Sequence, residues 1–408
     1  MPKPDALDLT WREALTALLP PPRLTVSEWA DRYRMLDNTS PEPGPWRTDR
    51  TPYLREIMDS LSPSDPCERV VFVKAAQVGG TEALLNFCGY LMAHAPAPIL
   101  LVQPTVEMAK RFSKQRLDAL IESTPVLRGK VKDPRSRDSG NTVLMKEFAG
   151  GVLILTGANS AVGLRSLPAK YVLADELDAW PTDADGEGDP FTLACKRTVA
   201  FGTQRKIFAV STPTIEGLSR IEAIWLQSDQ RYYFVPCPQC GFYQRLLWER
   251  LRWPEGQPKQ ARFHCVACEY PIKNHEKTDL LAAGEWRPTA YGDGRTRGYH
   301  ISALYSPVGW PGWPDLACEF LEAKKTRETL QVFVNTVLGE TWRDEAALPL
   351  EADVLYARRE PFAAEAPAGV ALITAGADVQ ADRIECEVVG WGAGEESWRL
   401  GYFVLHGD

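Results

Sequence analysis

Residues 69–82 hold the residue types of a phosphate-binding loop in an unusual order. They read Arg-Val-Val-Phe-Val-Lys-Ala-Ala-Gln-Val-Gly-Gly-Thr-Glu, an apolar strand, a loop of small residues and a helix predicted to start near Gly79. The common pattern G-x-x-x-x-G-K-[ST] places a lysine directly before the Ser/Thr. Here Gly80 has that position, and Lys74 stands where the first glycine belongs. Backbone N–H groups at a helix start bind phosphate oxygens, so Lys74 can reach the same anion from the other side while Thr81 binds Mg²⁺.

A pair of acidic residues further along the chain supports nucleotide chemistry. Residues 170–178 read Lys-Tyr-Val-Leu-Ala-Asp-Glu-Leu-Asp, an apolar strand that ends in Asp175 and Glu176. A nucleoside triphosphatase places a Mg²⁺-organising aspartate beside a glutamate that polarises the attacking water in this way. Each segment alone has an ordinary alternative: a ligand-free turn that leads into a helix, or a solvated acidic turn. Their order, and their separation of about a hundred residues, favour nucleotide hydrolysis.

Four of the nine cysteines have the spacing of metal ligands. Cys237 and Cys240 form one Cys-x-x-Cys knuckle, and Cys265 and Cys268 form a second. Four thiolates at this spacing bind Zn²⁺ tetrahedrally, as in a zinc ribbon, and leave no open coordination position. Disulfide pairing is the alternative, which a reducing cytoplasm disfavours. The sequence therefore predicts a structural rather than a catalytic Zn²⁺.

The composition sets bounds on the protein class. The chain has 408 residues, is 44% hydrophobic and carries a formal net charge of −8. We expect two or three domains with real cores and no global cationic field for nucleic acid. The start of the chain lacks the apolar core of a signal peptide, and no apolar run approaches membrane-spanning length, which predicts a soluble intracellular protein. Basic residues cluster locally, on either a solvated or a phosphate-tracking surface: Lys110, Arg111, Lys114, Arg116, Arg128, Lys130, Lys132, Arg135 and Arg137.

An alternation of strands and helices must position the candidate residues. From about residue 69 to 215, short apolar strands alternate with predicted helices, which indicates an α/β fold with a mostly parallel sheet covered by helices on both faces. Ligands of such sheets bind at the carboxyl ends of the strands. The polar residues at the predicted strand ends are Lys74, Gln103, Thr156, Asp175 and Ser211. Their convergence at one edge predicts a common site.

Two loops add candidate groups to that edge. The loop before the acidic strand offers Arg165, which could reach the γ-phosphate and neutralise charge in the transition state. Ser211, Thr212 and Pro213 follow a later strand, and the hydroxyl groups there could sense whether the γ-phosphate is present. A surface arginine and an ordinary Ser/Thr-Pro turn are the respective alternatives.

The last part of the chain predicts the start of another domain. Residues 360–369 are rich in Pro, Ala and Glu and read as a linker, and the apolar strand that follows ends in Asp378. Ile384–Gly392 and Trp398–Leu405 are predicted as the next strands of an antiparallel meander. A carboxylate at the end of a first strand is how an RNase H-like nuclease places its first metal ligand. Because three strands cannot complete that fold, we expect an incomplete domain in this chain.

The motifs occur in a characteristic order. In sequence, they are Lys74-Ala-Ala-Gln-Val-Gly-Gly-Thr, Ala174-Asp-Glu-Leu, Ser211-Thr-Pro, the double Cys-x-x-Cys, Thr336-Val-Leu-Gly-Glu-Thr-Trp, Thr374-Ala-Gly-Ala-Asp-Val-Gln-Ala-Asp-Arg and Gly390-Trp-Gly-Ala-Gly-Glu-Glu-Ser-Trp. This order resembles the large terminase subunit of lambda-like tailed bacteriophages, the motor that packages DNA into the procapsid. The resemblance runs from roughly Trp29 to the end of the chain, and the later phrases are specific to the family.

The resemblance implies a fold and a set of site residues. The fold is an additional-strand P-loop ATPase with a zinc-ribbon insertion, followed by an RNase H-like nuclease that cuts concatemeric DNA. The implied roles are Glu176 as catalytic base, Arg165 as arginine finger, and Ser211–Thr212–Pro213 as coupling element. Asp378 would bind Mg²⁺ or Mn²⁺ in the nuclease. The residues implied to bind ATP and Mg²⁺ are Lys74, Gln77, Gly79, Gly80, Thr81 and Asp175.

The resemblance leaves the adenine-contacting residue undecided, and the phosphate loop departs from the family at one position. Related enzymes stack an aromatic residue upstream of the loop against adenine, and either Trp46 or Tyr53 could serve here. Glu82 follows Thr81 where a second basic residue can occur, so this loop has one lysine, Lys74.

The expected organisation and partners follow from the same resemblance. The partners are double-stranded viral DNA, the small terminase subunit and the portal protein, with a homo-oligomeric ring in the host cytoplasm and no membrane. Residues 1–45 are expected to bind the small subunit or to be flexible, and residues 46–225 to form the ATPase core. Residues 226–300 would form the zinc-ribbon region and residues 301–359 a helical lid or connector. Residues 360–369 would be the linker and residues 370–408 the start of the nuclease.

Two other functions fit part of the sequence. A helicase-like DNA-remodelling ATPase with a zinc ribbon would need a second motor lobe with its own arginine motif, and the sequence after residue 215 offers none. A non-hydrolysing zinc-ribbon scaffold with a degenerate nucleotide fold would bind nucleotide without turnover.

Overall fold

The computed structural model describes residues 23–131, 141–165, 167–343, 365–380 and 382–407. The chain divides into two units, Met1–Arg343 and Asp344–Asp408. Residues 1–22 of the predicted N-terminal region, the basic residues Lys132, Arg135 and Arg137, and the first half of the predicted linker lie outside the described residues.

A ten-stranded mixed sheet forms the centre of the larger unit, in the order β10-β9-β15-β3-β8-β7-β4-β6-β5 with β14 beside β9. Every pairing from β9 to β6 is parallel, which confirms the predicted mostly parallel sheet. The strands are β1 (Met35–Leu36), β2 (Gly44–Pro45), β3 (Arg69–Lys74), β4 (Ile99–Gln103), β5 (Met145–Phe148), β6 (Gly151–Gly157), β7 (Tyr171–Asp175), β8 (Lys206–Ser211), β9 (Arg231–Pro236), β10 (Tyr243–Gln244), β11 (Leu251–Arg252), β12 (Arg262–His264), β13 (Pro271–Ile272), β14 (Glu285–Pro288) and β15 (Thr296–Ile301).

Helices cover both faces of this sheet. Along β3, Val70 and Phe72 pack into one core cluster while Val71 and Val73 pack into the other, as the alternation of side chains along a strand requires. The α-helices are Val26–Tyr33, Leu54–Ser60, Gly80–Ala93, Val106–Phe112, Asp118–Ser123, Pro125–Arg128, Ala161–Arg165, Pro190–Lys196, Arg220–Leu226, Lys277–Ala282, Trp313–Ala323 and Arg327–Phe333. Two π-helical segments, Ser113–Leu117 and Val334–Leu338, continue the helices before them.

The helix Gly80–Ala93 after the phosphate loop is buried along almost its whole length. An N-terminal helix, Val26–Tyr33, packs on it, and a Cβ on Gly89 would lie 2.4 Å from the ring of Trp29. Glycine at this position therefore allows the close approach of the two helices. A capping box between Thr25 and Glu28 starts the N-terminal helix. Arg34, directly after its last residue, donates to Glu82 in the helix after the phosphate loop at 3.3 Å.

The strands from the cysteine-containing region were not predicted to belong to this sheet. β9, β14 and β15 join it beyond β3, because β15 pairs in parallel with both β3 and β9. The short strands β11, β12 and β13 form a separate three-stranded sheet that carries the second cysteine knuckle.

The smaller unit contains an antiparallel three-stranded sheet of β16 (Leu372–Val379), β17 (Arg383–Trp391) and β18 (Ser397–His406). The predicted meander is confirmed, with one difference at its first strand. β16 continues through Asp378 to Val379, so this aspartate lies within the strand rather than after it. The part of the chain that the structure describes has no helix long and apolar enough to cross a membrane.

Candidate functional site

The carboxyl ends of β3, β7 and β8 open onto one cavity of about 1130 Å³. This is the edge at which the strand-end pattern predicted a site. The cavity is lined by seven of the predicted residues, from all three strand ends: Lys74, Gln77, Gly79, Gly80, Thr81, Glu176 and Thr212. Asp175 and Ser211 are buried and do not line it, and neither does Arg165.

The position of Lys74 explains the unusual order of the loop. Its buried side chain runs across Gly80, where an added Cβ would lie 2.5 Å from the lysine Cδ and 2.6 Å from its Cε. A lysine that comes from the strand end therefore requires glycine at the position that holds lysine in the common pattern. The Lys74 Nζ donates to Glu176 Oε1 at 3.1 Å and to Thr212 Oγ1 at 3.4 Å.

The loop before the helix is held in a left-handed shape. Gln77 has φ +57° and Gly79 has φ +88°, a region that favours glycine at the second position. A Cβ on Gly79 would lie 2.8 Å from Leu54 Cδ1, so glycine is needed there for space as well. The Tyr53 hydroxyl donates to the carbonyl of Val78 at 3.2 Å and fixes the loop from beneath.

A segment near the end of the larger unit also holds the loop. The Ala76 N–H donates to the carbonyl of Thr336 at 2.7 Å, and the Ala75 N–H donates to the carbonyl of Ile301 at 2.9 Å. Gly339, with φ +67°, packs so closely that a Cβ would lie 2.9 Å from the Ala75 nitrogen. The family-specific phrase that begins at Thr336 thus supports the phosphate loop, a role that sequence alone did not indicate.

The two acidic residues have different environments. Glu176 sits in a left-handed turn, with φ +47° and ψ +54°, and its half-exposed carboxylate enters the cavity. Asp175 is buried, and its Oδ2 accepts a bond of 2.9 Å from Gln103 Nε2 while its Oδ1 has no hydrogen-bond partner. Burial, and then the charge of Glu176, raises the pKa of Asp175 to about 6. A buried carboxylate oxygen without a partner is suited to a cation ligand.

Some strand-end predictions have other placements. Gln103 joins the site through Asp175, as its position after β4 predicted. Thr156 is buried against the short helix Ala161–Arg165 and does not line the cavity. Arg165, at the end of that helix, is half exposed and forms an ion pair with Glu187 outside the cavity.

The predicted coupling segment is joined to the acidic strand by a residue that sequence did not single out. The Asp178 N–H donates to Ser211 Oγ at 3.1 Å. Its carboxylate accepts bonds of 3.0 Å from the N–H and the hydroxyl of Thr214, and one of 2.8 Å from the Ile221 N–H. Asp178 therefore links the turn after Glu176 to the segment that follows β8.

Thr214 connects this link to the loop-supporting segment. Its carbonyl accepts a bond of 2.7 Å from Asn335 Nδ2 and one of 2.8 Å from the Trp342 N–H. The Asn335 amide also donates to the carbonyl of Glu340 at 2.8 Å. We call Asp178, Thr214 and Asn335 the clasp. It could have been noticed only from the position of Asp178 two residues after Glu176.

The two candidate aromatic residues are placed differently. Trp46 lines the cavity and donates from Nε1 to the Thr48 hydroxyl at 3.0 Å. Tyr53 is fully buried beneath the loop, and burial raises the pKa of its hydroxyl. Of these two, Trp46 is the one that a bound molecule can contact.

The four predicted cysteines come together. Their Sγ atoms all lie within 4.8 Å of one another, with 3.8 Å between Cys237 and Cys268 and between Cys240 and Cys265. Disulfide bonds of about 2.05 Å are excluded at these distances. A tetrahedron with Zn–S bonds of about 2.3 Å has edges of about 3.8 Å, so the cluster fits Zn²⁺.

The two knuckles have matching turns. The Gly241 N–H donates to the carbonyl of Cys237 at 2.9 Å, and the Glu269 N–H donates to the carbonyl of Cys265 at 3.1 Å. Gly241 and Glu269 both have positive φ, +71° and +57°. Within the described residues, this cluster is the one group of three or more His, Cys, Asp or Glu side chains that could hold a metal.

Asp378 lies on the smaller unit's sheet beside a second carboxylate. Its register partner on β17 is Glu385, so both side chains lie on one face of the sheet. Asp378 Oδ2 accepts a bond of 2.5 Å from Gln380 Nε2. Glu385 accepts from Arg383 and Tyr402, and these bonds hold its pKa below the usual range.

Two sequence models of known protein domains match this chain. A sequence model of the phage terminase large subunit gpA ATPase domain matches residues 40–286, and one of the terminase large subunit gpA endonuclease domain matches residues 296–408. The second match begins at β15, a strand of the larger unit's sheet.

Relatives of known identity match almost the whole chain. The large terminase subunit of Enterobacteria phage P21 is 30% identical over 418 residues, which cover 96% of this chain and 64% of the relative. That of Escherichia phage lambda is 30% identical over 421 residues, covering 97% of this chain and 65% of the relative. The chain thus spans less than two thirds of the length of these relatives.

A solved structure also aligns with the chain. The large terminase ATPase domain of Thermus phage P74-26 is 13% identical, and the alignment covers 70% of this chain and 92% of that chain with a TM-score of 0.41. The match to the ATPase-domain sequence model extends over more than half of the 408 residues. The chain belongs to the phage terminase large subunit gpA family.

Proposed function

We propose that this protein is the ATP-driven motor that packages double-stranded viral DNA into procapsids, with an associated endonuclease that cuts concatemeric DNA. The observation that carries the motor is the meeting of Lys74, Thr81 and Glu176 at one cavity at the carboxyl ends of the strands. Both family matches, to a terminase ATPase domain and to a terminase endonuclease domain, support it.

The phosphates of ATP bind at the start of the helix Gly80–Ala93. The first N–H groups of a helix have no partners within it, and the helix dipole favours an anion there. Gln77, Gly79 and Gly80 supply the loop backbone around the phosphates, and Lys74 supplies a positive charge from the opposite side. The neighbouring Trp46 contacts the adenine base.

Thr81 and Asp175 fit a Mg²⁺ ion. Thr81 lines the cavity, and the buried Asp175 Oδ1 has no hydrogen-bond partner. Mg²⁺ prefers oxygen ligands of these types. When bound, the ion would stabilise the negative charge that develops on the phosphate oxygens.

Hydrolysis uses Glu176 as the base. Its carboxylate accepts the proton of the water that attacks the γ-phosphate in line. Lys74 is bonded to Glu176 in the structure, and a phosphate offers that lysine a more highly charged partner, which releases the glutamate for water. Arg165 acts as the finger. Its pairing with Glu187 outside the cavity supports action on the nucleotide of a neighbouring subunit in the ring.

Ser211, Thr212 and Pro213 couple nucleotide state to movement. Thr212 lines the cavity beside Lys74, so its hydroxyl can respond to the loss of the γ-phosphate. The clasp then carries a displacement of this segment to the acidic turn and to the segment that supports the phosphate loop, since Thr214 is bonded to both.

The order of the strands supports the additional-strand class of P-loop ATPases. β8 lies between β3, which leads into the phosphate loop, and β7, which carries the acidic pair. β9, β14 and β15 extend the same sheet, so in the described residues the chain after 215 forms no second motor lobe. This arrangement argues against the helicase-like alternative.

The remaining sites complete the proposal. The four cysteines hold one structural Zn²⁺, and Asp378 contributes to a Mg²⁺ or Mn²⁺ site of the nuclease. The N-terminal region up to residue 45 binds the small terminase subunit, and the assembled ring acts on the portal protein in the host cytoplasm. The segments proposed from the sequence, 46–225, 226–300, 301–359, 360–369 and 370–408, keep their assignments.

Steady-state ATP hydrolysis with and without double-stranded DNA tests the proposal, with Glu176→Gln as the variant. We expect DNA-stimulated turnover in the natural protein and a loss of at least about 100-fold in the variant. Glu107→Gln is the matched control, because that exposed glutamate lies outside the cavity. Turnover that Glu176→Gln leaves unchanged would contradict the assignment, and nucleotide binding without turnover would favour the scaffold alternative.

A further inference from the structure

Three charged side chains form a cluster beside the helix that follows the phosphate loop. Glu82, in the first turn of that helix, accepts from Arg34 Nη2 at 3.3 Å and from Arg116 Nη2 at 2.9 Å. All three side chains line the same cavity as Lys74. We call Arg34, Glu82 and Arg116 the arginine cluster.

The two arginines differ in freedom. Only 5% of the Arg34 side chain is exposed, and it also donates to the carbonyl of Met35. Burial lowers the pKa of Arg34, which Glu82 opposes as the nearest counter-charge. Arg116 is 44% exposed, and Glu82 is its ion-pair partner among the described residues. Arg34 therefore fixes Glu82, and Glu82 aims a guanidinium group that can still move.

The backbone around Arg116 is specialised for this placement. The residue lies in the π-helical segment Ser113–Leu117, whose widened turn puts Gln115 and Arg116 on the cavity wall. Such segments are rare and frequent at functional sites. The second π-helical segment, Val334–Leu338, borders the same cavity through Thr336 and Val337.

The cluster supplies a second positive charge near the loop, in addition to that of Lys74. Glu82 directly follows Thr81 and would repel a nucleotide phosphate if it stood alone. With one carboxylate and two guanidinium groups, the cluster has a net charge of +1, the charge of a single lysine. Leu85 follows Glu82 by three residues on the same helix, Leu120 follows Arg116 by four residues, and both line the same cavity as the cluster, as does Trp46. Apolar side chains therefore adjoin the cluster.

We propose that Arg116 contacts the nucleotide at the phosphate nearest the ribose, with Glu82 and Arg34 as the residues that position it. The inference rests on the proposed nucleotide site and extends it to a second cationic contact, on the side of the helix away from Lys74. Arg116 exchanges its bond to Glu82 for one to the phosphate when ADP or ATP binds, and Arg34 keeps Glu82 in place.

Equilibrium binding of N-methylanthraniloyl-ADP, and of ATP by competition with it, tests the inference. Arg116→Gln should weaken ADP and ATP by the same factor, about tenfold, because both carry the phosphate nearest the ribose and a charge-assisted hydrogen bond is lost. Lys74→Ala should weaken ATP more than ADP. Arg111→Gln, an exposed arginine on the same helical stretch outside the cavity, should change neither.

The outcomes separate this inference from the nucleotide site itself. Nucleotide affinities that neither Lys74→Ala nor Arg116→Gln changes would overturn both. Affinities weakened by Lys74→Ala alone would overturn the role of Arg116 and leave the site standing. Affinity lost for ATP alone in Arg116→Gln would move the contact to the γ-phosphate and overturn its placement. A lower Tm for Arg116→Gln with unchanged affinities would assign the cluster to stability and overturn the proposal. We expect an unchanged Tm, because an exposed ion pair contributes little to stability.

Discussion

The cysteine cluster and the proposed nucleotide cavity differ in how their parts are brought together. Two short knuckles with matching turns bring four Sγ atoms within 4.8 Å, and each knuckle carries its geometry in a few residues. The cavity instead draws Lys74, Glu176 and Thr212 from three strand ends. Its loop is also held by residues from more distant parts of the chain, Tyr53 and Thr336. The difference teaches that a local motif specifies its site directly, whereas the cavity depends on the order of the whole sheet.

Loss of zinc from the cysteine cluster should have the largest of the predicted effects on stability. Cys265→Ala removes one of four thiolates, and we expect a zinc content near zero. The free energy of unfolding should fall by several kcal/mol, since structural zinc in small peptides binds with about 10–16 kcal/mol. Elemental analysis and calorimetry measure the two quantities. ADP affinity well below the Tm should change less than about threefold if the two sites are independent.

A matched cysteine makes this test specific. Cys318→Ala, on the helix Trp313–Ala323, should leave the zinc content unchanged and cost on the order of 1 kcal/mol. Zinc retained in Cys265→Ala would contradict the metal assignment. ADP binding that collapses together with the metal would break the comparison, because β9 enters the central sheet directly before Cys237.

A buried lysine close to the cysteine region should give the second largest effect. Lys277 is fully buried, its Nζ lies 5.1 Å from the centre of the Trp313 ring, and that nitrogen has no hydrogen-bond partner. Burial lowers the pKa of Lys277 from 10.5 to about 7, against the opposing charge of Asp315. Below pH 7 both folded and unfolded chains carry the proton, so the full penalty applies. Between about pH 7 and 10.5 the folded chain releases it first.

The sign of the pH dependence follows from this order of release. Because the unfolded chain then binds more protons, stability should rise between pH 7 and 10.5. Lys277→Met should stabilise the protein at pH 7 by on the order of 4 kcal/mol and flatten this rise. Urea unfolding at several pH values measures both. Lys273→Met, on an exposed neighbour, serves as the control. An unchanged slope in Lys277→Met would show that this lysine keeps its proton in the fold.

An exchange of the residues at positions 74 and 80 should test how strictly the cavity depends on the lysine that comes from the strand end. Gly80→Lys alone puts a side chain where the aliphatic part of Lys74 lies, 2.5 Å from an ideal Cβ, and should lower ATP turnover at least about 100-fold. Lys74→Gly alone removes the cation and should do the same. Lys74→Gly combined with Gly80→Lys restores the common pattern G-x-x-x-x-G-K-T and should recover part of the loss.

This recovery is the diagnostic result, since independent effects of the two changes would multiply. Gly79→Ala is the comparison variant, because its Cβ would meet Leu54 rather than Lys74 and no second change at Lys74 should rescue it. A double variant as poor as the product of the two single variants would mean that the displaced lysine and the common lysine are not equivalent.

These cases indicate how much the sequence could predict. Residue types and spacing predicted the cysteine cluster, because a knuckle fixes its own turn. Strand ends predicted that Lys74 and Glu176 would meet, because parallel strands share one edge. Arg34 and Arg116 were not assigned to the site, since they reach it through a helix packed at Gly89 and through a π-helical turn, neither of which has a sequence signal.

The sequence also did not predict which strands extend the central sheet or where the loop residue Arg165 lies. β9, β14 and β15 join the central sheet through long-range pairing, although they surround the cysteine knuckles in sequence. Arg165 precedes the acidic strand in sequence, yet its side chain pairs with Glu187 away from the cavity of its own chain. The sequence therefore predicted which residues meet in space only where a strand end or a knuckle turn fixes their positions.

The clasp should give the smallest of the predicted effects and the most specific one. Asp178→Asn keeps one side-chain oxygen but loses the charge that strengthens three bonds, two from Thr214 and one from Ile221. We expect kcat for ATP to fall about tenfold with KM nearly unchanged, because Asp178 orients the turn of Glu176 without contacting nucleotide. Asp183→Asn is the control, since that aspartate accepts loop N–H groups outside the cavity.

Asn335→Ala distinguishes a coupling role from a local one. It leaves the acidic turn bonded to Thr214 and the Trp342 N–H bonded to the Thr214 carbonyl, but it removes the side-chain bond that joins Thr214 to the segment supporting the phosphate loop. If the clasp transmits nucleotide state, basal hydrolysis should persist while its stimulation by double-stranded DNA declines severalfold. Equal loss of basal and stimulated rates would mean that Asn335 only supports the loop. The strand ends at the cavity would then be held in place independently of one another and would not be coupled through the clasp. The cavity would in that respect be more like the cysteine cluster, whose geometry is set locally, than its hydrogen bonds indicate.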